Sequence, residues 1–424
     1  MSDHLSRRRF LHAGAASAGL AALAGRLTEI RESAAAGLQA GGKADGRPAA
    51  ELYGLDPAVT YLNHASIGTI PAPIRAAHAD YLELCETDPW LHIWGGAWEE
   101  PRERVRAKAA ACLGCEAADI ALTHNTTEAF NLAAQGLALG RNDEVLFPDI
   151  NHPGASVAWE MAAKRAGFAV RRFRFPLETA ETLDTESCLA LFDKAIRPET
   201  RVLVLPHLDN IVGIRQPVAE IAALARSRGV EFIAVDGAQT AGMLPLDIAA
   251  LGIDLYATSG HKWLQGPKGT GLLYLGEAAR ERLQPLWATW GQERWAGSVR
   301  IFEDYGTRNF PALLALGDAL DFQASIDRAT RAKQYEALRR HALARADASP
   351  ALDWHSPRES ALGGALFALA LRRETADDAF ARLNRQGFVF RPFRPPDPNV
   401  VRISPNLANE IADIDRLIDA LEAA

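Results

Sequence analysis

The stretch from Val230 to Leu275 constrains the fold of this chain more than any other. It opens with an apolar run, Glu231 to Val235, which predicts a buried strand that delivers Asp236 at its C-terminal end. A second short run leads into Ser259 to Lys262 (SGHK), and a tight glycine-rich loop follows before a third apolar run. Apolar runs that alternate with helical segments predict an α/β fold with a mostly parallel sheet, in which ligand-binding groups lie at strand ends.

The residue types at these strand ends suit the chemistry of pyridoxal 5′-phosphate. A carbonyl cofactor needs a lysine amine with which it forms a Schiff base, and Lys262 is the candidate. A carboxylate must face the pyridine nitrogen so that the ring stays protonated and acts as an electron sink, and Asp236 is predicted to do so. Gln239 is predicted to hydrogen-bond the phenolic oxygen of the ring. Ser259 and His261 flank the lysine closely enough to reach a phosphate oxygen or the ring.

The ordered string DGAQ, SGHKW and GPKGTG resembles the class V aminotransferase family of fold-type I pyridoxal-phosphate enzymes. The resemblance covers the chain from Tyr61 to the C-terminus. It implies a large cofactor domain (71–311) with a seven-stranded, mostly parallel sheet and a small α+β domain (312–424). Residues 51–70, here called the connecting segment, would join the small domain and border the substrate pocket. The implied function is that of an enzyme acting at the α-carbon of an amino acid.

Further site residues follow from the resemblance. Thr126 and Thr127 lie at the start of a helix, where the family places the cofactor phosphate on free backbone amides. His152 takes the position of the histidine that stacks on the ring, and Asn210 that of an asparagine that contacts the ring oxygen and the substrate. His207 matches the same motif, with a less certain role. A plain helix cap by one threonine and a solvated loop histidine are the alternatives.

Two more residues of the implied site lie further along the chain. Arg402 occupies the position at which the family clamps the substrate carboxylate, a task that suits a planar guanidinium. A surface arginine on an edge strand is the alternative. Thr307 lies in a segment that resembles the family's G-T-P-N, although Arg308 replaces the proline. In relatives this threonine reaches the cofactor phosphate of the neighbouring subunit, which implies a homodimer with shared active sites.

Composition excludes several classes of protein. The chain has 424 residues, of which 48% are hydrophobic and 23% charged, as expected for a soluble enzyme of two domains. The net charge of −7 and the lack of a basic stripe argue against a nucleic-acid partner. No apolar run approaches a membrane span, so no stable membrane anchor is expected. Cys112 and Cys115 have CxxC spacing without a second pair, which predicts no metal site and leaves a disulfide open.

The first residues suggest export. Residues 6–11 (SRRRFL) resemble a twin-arginine signal, and residues 22–24 (ALA) offer a cleavage site, so residues 1–24 are interpreted as a signal peptide. The implied partner is the twin-arginine export machinery, and the implied location is the periplasm or the exterior. A basic amphipathic or disordered tail is the alternative. Residues 25–50, rich in alanine, glycine and charge, are expected to be a flexible spacer.

The sequence predicts the cofactor but leaves the type of reaction open, because the same residues support transamination, racemisation, elimination and desulfuration. No cysteine follows Cys188, and the small-domain loop Arg391 to Asn399 (RPFRPPDPN) offers no thiol to accept sulfur as a persulfide. This favours the isopenicillin N epimerase-like branch over a persulfide-forming desulfurase. A C–S lyase without a persulfide cysteine and a non-catalytic pyridoxal-phosphate-binding protein remain alternatives. A nucleotide-binding loop at Gly266 to Gly271 is disfavoured, because both common phosphate-loop patterns are missing there.

Overall fold

The protein is described from a computed structural model that covers residues 24–423. The strands are β1 (Thr60–Tyr61), β2 (Ile120–Thr123), β3 (Glu144–Pro148), β4 (Ala169–Phe173), β5 (Thr200–Pro206), β6 (Phe232–Asp236), β7 (Leu255–Ser259), β8 (Gly271–Leu275), β9 (Leu352–Trp354), β10 (Phe367–Leu371), β11 (Phe388–Val389), β12 (Arg391–Phe393) and β13 (Val400–Ile403).

The helices lie between and around these strands. The α-helices are α1 (residues 24–40), α2 (Ala72–Thr87), α3 (Pro89–Ile93), α4 (Glu99–Leu113), α5 (Thr126–Gly136), α6 (Pro153–Ala166), α7 (Thr185–Ala195), α8 (Val218–Ser227), α9 (Glu277–Arg282), α10 (Gly291–Arg294), α11 (Phe310–Ser325), α12 (Arg328–Ala348), α13 (Ala376–Asn384) and α14 (Ile411–Glu422). Short 3₁₀ turns occur at Ala50–Tyr53, Ala117–Asp119, Leu177–Thr182, Ile248–Leu251, Val299–Phe302 and Ser360–Leu362. Within residues 24–423, no helix is both long and apolar enough to cross a membrane.

A seven-stranded sheet forms the centre of the large domain, with strand order β2-β8-β7-β6-β5-β3-β4. β8 runs antiparallel to both neighbours, and the other adjacent pairs are parallel. Side chains of β6 alternate between two cores, because Phe232 and Ala234 face one and Ile233 and Val235 the other. Burial on both faces is typical of parallel sheets covered by helices. The predicted α/β class with a mostly parallel seven-stranded sheet is confirmed.

The small domain is built on a four-stranded antiparallel sheet in the order β12-β13-β10-β9. Its separate core contains Leu338, Trp354, Phe367 and Leu417. β1 of the connecting segment pairs in parallel with β11, which attaches that segment to the small domain.

Two boundaries differ from those expected. The prediction of a flexible spacer over residues 25–50 is wrong, because residues 24–40 form α1. This helix buries Leu27, Ile30 and Ala34 in the large-domain core. These side chains recur at helical spacing, a pattern that the surrounding alanines obscured. The boundary at 312 is also misplaced, because it falls within α11, which packs on α2 and α4 of the large domain. The twin-arginine pattern lies outside the described residues.

A buried ionic cluster fixes the segment that leads into α11. The carboxylate of Glu303 is almost fully buried and accepts hydrogen bonds from Arg106 at 2.8 and 3.0 Å, from Arg308 at 2.8 Å and from the amide of Leu122 at 2.6 Å. Burial alone would raise the pKa of Glu303, but the two guanidinium groups outweigh it and lower the pKa to about 2. The carboxylate therefore holds two buried cations in place.

We expect Glu303→Gln to lower the free energy of unfolding at pH 7 by about 3 kcal/mol, because it leaves two buried guanidinium groups without a counterion. The folded pKa lies below the unfolded value of about 4.3, so this contribution is complete above about pH 5 and is lost as the pH falls towards 2. Urea unfolding at pH 7 and pH 3 measures both effects. Glu100→Gln, which removes an exposed pair with Arg104, is the control and should cost well under about 1 kcal/mol. Equal losses in the two variants would contradict the role of Glu303.

Candidate active site

The carboxyl ends of adjacent parallel strands bring the sequence-predicted residues together. β5, β6 and β7 lie side by side, so that Asp236 ends one strand and Ser259 the next. The start of α5 meets this edge, where the amide of Thr126 donates to Ser259 Oγ at 3.1 Å and the two hydroxyl oxygens lie 2.9 Å apart. This edge of the sheet therefore combines a carboxylate, two hydroxyl groups and a helix N-terminus.

Lys262 lies in the turn that follows β7. Its Nζ makes no hydrogen bond or ion pair within residues 24–423. Burial, with a further contribution from Arg402, lowers the pKa of Lys262 to about 8, although Asp236 opposes the shift. An amine with this pKa is partly neutral near pH 8, and a neutral amine is the form that attacks a carbonyl.

The connecting segment is packed directly against the lysine turn. The amide of Gly68 donates to the carbonyl oxygen of His261 at 2.7 Å. A Cβ atom at Gly68 would lie 2.0 Å from the carbonyl oxygen of Lys262, so only glycine allows this approach. Lys268 Nζ donates to the carbonyl oxygen of Gly68 at 3.2 Å, whereas Lys262 Nζ has no such partner within residues 24–423.

His152 is the N-cap of α6, and its Nδ1 accepts a hydrogen bond from the amide of Gly154 at 3.0 Å. The proton of the neutral ring therefore resides on Nε2. Although the ring is accessible to solvent, the surrounding protein lowers its pKa, as do the cations Lys262 and Arg402, whereas Asp236 acts in the opposite direction. His152 thus lies within electrostatic reach of the strand-end residues.

Three further predicted residues each retain a polar atom or N–H group without a hydrogen-bond partner in the described chain. They are Asp236, Gln239 and His261. Asp236 Oδ1 accepts from the amide of Ala238 at 2.9 Å, and its second oxygen has no protein donor among the described residues. Gln239 Nε2 donates to the carbonyl oxygen of Ala65 at 3.0 Å, and Gln239 Oε1 accepts from Trp263 at 2.8 Å, so one N–H remains. His261 Nδ1 is buried without a partner in residues 24–423, and burial lowers the pKa of His261 to about 4.

Arg402 is buried in β13 with only 2% of its surface exposed. Its guanidinium donates to the carbonyl oxygen of Asn210 at 2.7 Å, to Asn63 Oδ1 at 2.8 Å and to Ser66 Oγ at 2.6 Å. Its Nε has no partner, and no carboxylate of the described chain lies within 4.0 Å. Burial, together with the nearby Arg391, lowers the pKa of Arg402 to about 9. The buried Asp209 acts on Arg402 in the opposite direction without forming an ion pair with it. A buried guanidinium with no carboxylate in direct contact is suited to an anionic ligand.

The loop after β5 positions Asn210. The carboxylate of Asp209 is fully buried and accepts from the amides of Ile211 at 2.8 Å and Val212 at 2.9 Å, which fixes the turn of this loop. His207 Nδ1 lies 2.9 Å from Tyr256 Oη, and burial lowers the pKa of His207 to about 3. His207 is therefore a neutral structural residue.

Two of the predicted phosphate-binding threonines are exposed. Thr127 is on the first turn of α5, whose cap is Asn125, because Asn125 Oδ1 accepts from the amide of Glu128 at 2.9 Å. Thr307 is also exposed, and it makes no hydrogen bond to the other site residues within the described chain. The structure thus gathers the other predicted residues around Lys262 and leaves Thr307 at the surface.

The groups left without partners fit pyridoxal phosphate. Lys262 offers an amine to a carbonyl, and Asp236 has a free carboxylate oxygen for a pyridinium nitrogen. The start of α5 with Thr126 and Ser259 offers hydroxyl groups and a positive dipole end for a phosphate. The unpartnered Nδ1 of His261 is a further polar atom beside the lysine.

Sequence reasoning missed three contributors to the site. Asn63 and Ser66 anchor Arg402, and Trp263 anchors Gln239. Asn63 and Ser66 lie in the segment NHASIG, and a cluster of polar residues around a glycine was the signal available there. Their partner lies 336 or more residues away in the chain, which no local pattern reveals.

Known proteins with similar sequences identify the family to which the chain belongs. The family model described as Aminotransferase class-V matches residues 60–417. Isopenicillin N epimerase of Streptomyces clavuligerus is 33% identical over 403 residues, which cover 87% of this chain and 96% of the relative. Cysteine desulfurase of Shigella sonnei is 28% identical, with coverage of 88% and 94%.

Solved structures of pyridoxal-phosphate enzymes have a similar fold. The cystine C–S lyase C-DES, in complex with its product cysteine persulfide, aligns with a TM-score of 0.79 at 25% identity and covers 88% of this chain and 99% of that one. A C-DES variant holds glycine covalently linked to its pyridoxal-phosphate cofactor, with a TM-score of 0.78 at 25% identity and the same coverage. The fold-type I architecture, pyridoxal phosphate as cofactor and an enzymatic activity are thereby confirmed.

The pKa of Lys262 makes cofactor uptake depend on pH. We expect the rate at which cofactor-free protein takes up pyridoxal phosphate to rise with pH and to level off above about 8 rather than near 10.5, because only the neutral amine reacts. Stopped-flow absorbance measures the rate, and borohydride reduction with peptide mapping locates the adduct. Lys268→Ala is the control and should take up cofactor normally. An adduct on Lys268 would contradict the assignment.

Proposed function

Because the chain belongs to the class V aminotransferase family, we propose that this pyridoxal-phosphate enzyme removes and returns the α-proton of an amino acid and thereby inverts its configuration. The proposal is carried by one observation, the presence of two proton-exchanging nitrogens, Lys262 and His152, within electrostatic reach of Asp236. When bound, the cofactor supplies an electron sink for the charge that develops at the α-carbon. The 33% identity to an isopenicillin N epimerase supports the same choice.

The protein's own residues supply the remaining functions. Lys262, with a pKa of about 8, is the base that takes the α-proton once its amine is free. His152 carries an exchangeable proton on Nε2, because its Nδ1 is occupied by the amide of Gly154. Asp236, buried at the end of β6, holds the proton on the pyridine nitrogen through its free carboxylate oxygen. These roles require the substrate to be held so that its α-C–H bond faces a base.

Arg402 provides that orientation in our proposal. Its unpartnered Nε and its fixed contacts to Asn210, Asn63 and Ser66 leave a rigid cation for an α-carboxylate. Since Arg402 is held by three partners, its position does not depend on the substrate. A fixed carboxylate restricts rotation of the amino acid and favours cleavage of one bond at the α-carbon.

The thiols of the chain argue against persulfide chemistry. Burial raises the pKa of all four cysteines, to about 11 for Cys112 and Cys188 and about 12 for Cys115, so none is predisposed to form a thiolate. All four are free thiols on α2, α4 and α7 or, for Cys115, just after α4. A C–S lyase that expels sulfur from its substrate needs no such thiol and is the second candidate, supported by the likeness to C-DES.

We expect amino acids incubated with the holoenzyme in D₂O to exchange their α-proton and to change configuration, with no stoichiometric release of sulfide, pyruvate or ammonia. Proton NMR and chiral chromatography measure the first two processes. Asp236→Asn should slow exchange about 100- to 1000-fold while the protein stays folded, because an amide stabilises the pyridinium far less than a carboxylate does. Sulfide and pyruvate release from cysteine or cystine without α-inversion would favour the lyase. No reaction with any amino acid would favour a non-catalytic binding protein.

We further propose that two chains form a homodimer in which Thr307 completes the partner's phosphate site. Exposed aromatic side chains lie near the residues that precede this threonine. Trp94 lines the same cavity as Gly306, and the ring of Trp287 lies 6.3 Å from that of Tyr305. Trp290 is 87% exposed, and the adjacent Gly291 packs against Asp304 of the same segment. Exposed clusters of large apolar residues are typical of protein interfaces.

We also propose export through the twin-arginine machinery to the periplasm or exterior. The pattern SRRRFL at residues 6–11 and the fold of a cofactor enzyme support this route, which carries folded proteins. We expect replacement of both Arg7 and Arg8 by lysine to retain the precursor in the cytoplasm, measured by fractionation and immunoblotting. Replacement of Arg9 by lysine is the control and should leave export unchanged. Periplasmic delivery of the double variant would show that the pattern is incidental.

A further inference from the structure

A second arginine lies beside the proposed carboxylate clamp. Arg391 is on β12, the edge strand of the small-domain sheet, and it is the direct antiparallel partner of Arg402 on β13. Directly opposed residues of an antiparallel pair project to the same face of the sheet. Both guanidinium groups therefore lie on the face that turns towards Asn210 and the connecting segment.

One aromatic ring contacts both arginines. Phe393, two residues after Arg391 on the same strand face, has its ring centroid 5.8 Å from the guanidinium carbon of Arg391 and 5.5 Å from that of Arg402. The ring is half-buried, so it limits how far either side chain can turn away. Two cations are thus held around one ring at the edge of the site.

Arg391 differs from the neighbouring arginine of its own segment in having no counterion. Arg394 donates to Asp377 at 2.8 Å, whereas Arg391 makes no ion pair with any carboxylate of residues 24–423. Arg402 likewise makes no ion pair with a carboxylate of these residues. Burial lowers the pKa of Arg402 and Arg391 lowers it further, whereas the buried Asp209 raises it. Two adjacent cations that make no ion pair with a carboxylate of residues 24–423 are the arrangement expected where a ligand brings more than one negative charge.

We propose that Arg391 binds a second carboxylate of the substrate, so that the enzyme acts on amino acids whose side chain ends in an acidic group. The inference rests on the proposed function only in assigning the α-carboxylate to Arg402. Arg391 is exposed at the edge strand, so a side chain that extends from the α-carbon meets it without burying an unpaired charge. Phe393 contacts the methylene groups of such a side chain between the two cations.

The test uses matched pairs of non-reacting acids on the holoenzyme. Calorimetry should show that glutarate binds at least about tenfold more tightly than valerate, and adipate more tightly than hexanoate, because a charge-assisted hydrogen bond contributes at least this much. Arg391→Gln should abolish the preference, and Arg391→Lys should retain most of it because the charge stays. Arg394→Gln, which removes the neighbouring cation already paired with Asp377, should behave as the wild type. The variants replace exposed residues, and thermal unfolding verifies that each is folded.

Measurements of turnover distinguish the role of Arg391 from the proposed inversion reaction. The ratio of kcat/KM for glutamate and α-aminoadipate to that for norvaline and norleucine should exceed about ten and should fall about tenfold in Arg391→Gln. An unchanged ratio and an unchanged glutarate preference in that variant would overturn the role of Arg391, even if α-proton exchange occurs. A preference for dicarboxylates that depends on Arg391, without turnover of any amino acid, would support the binding site and overturn the proposed reaction.

Discussion

The connecting segment determines how the two domains meet at the active site. Ser404, which follows β13 in the small domain, exchanges backbone hydrogen bonds with Leu62 at 2.8 Å and His64 at 3.0 Å. A few residues later the same segment meets the large domain, where the amide of Gly68 donates to His261. Since Arg402 and Lys262 come from different domains, their relative position depends on this short length of chain.

This arrangement also explains how a buried guanidinium persists without a carboxylate. Asn63 and Ser66 on the connecting segment and the carbonyl of Asn210 provide neutral oxygens for Arg402. Neutral acceptors hold the guanidinium without an ion pair, and the more distant Asp209 offsets its charge only in part, so the affinity of the site for an anion is kept. A fixed acidic partner would have stabilised the arginine and at the same time competed with the substrate.

Local sequence order predicts those parts of the site that one strand and its following loop contain. Asp236, Gln239, Ser259 and Lys262 were found in this way, because the carboxyl ends of adjacent parallel strands meet at one edge. Their individual roles in binding the cofactor remain predictions.

The particular hydrogen bonds between distant parts of the chain were not predicted. The partners of Arg402 come from the other end of the sequence, and the pairing of Arg391 with Arg402 depends on the register between two short strands. Helix α1 was missed because its three buried side chains are spread among alanines and charged residues that resemble a linker. Propensity and composition describe a segment alone, whereas burial depends on the surface against which it packs.

The positive charge of Arg402 couples binding of the substrate carboxylate to the basicity of Lys262. Burial lowers the pKa of Lys262, Asp236 raises it, and Arg402 lowers it further. We expect a carboxylate bound to Arg402 to offset this cation and to weaken its effect on the lysine, so that the pKa of Lys262 rises when substrate is in place. A more basic amine accepts a proton from carbon more readily, which means that the carboxylate that orients the substrate also strengthens the base. A carboxylate fixed in the protein would raise that pKa permanently and would leave less neutral amine to react with the cofactor before substrate arrives.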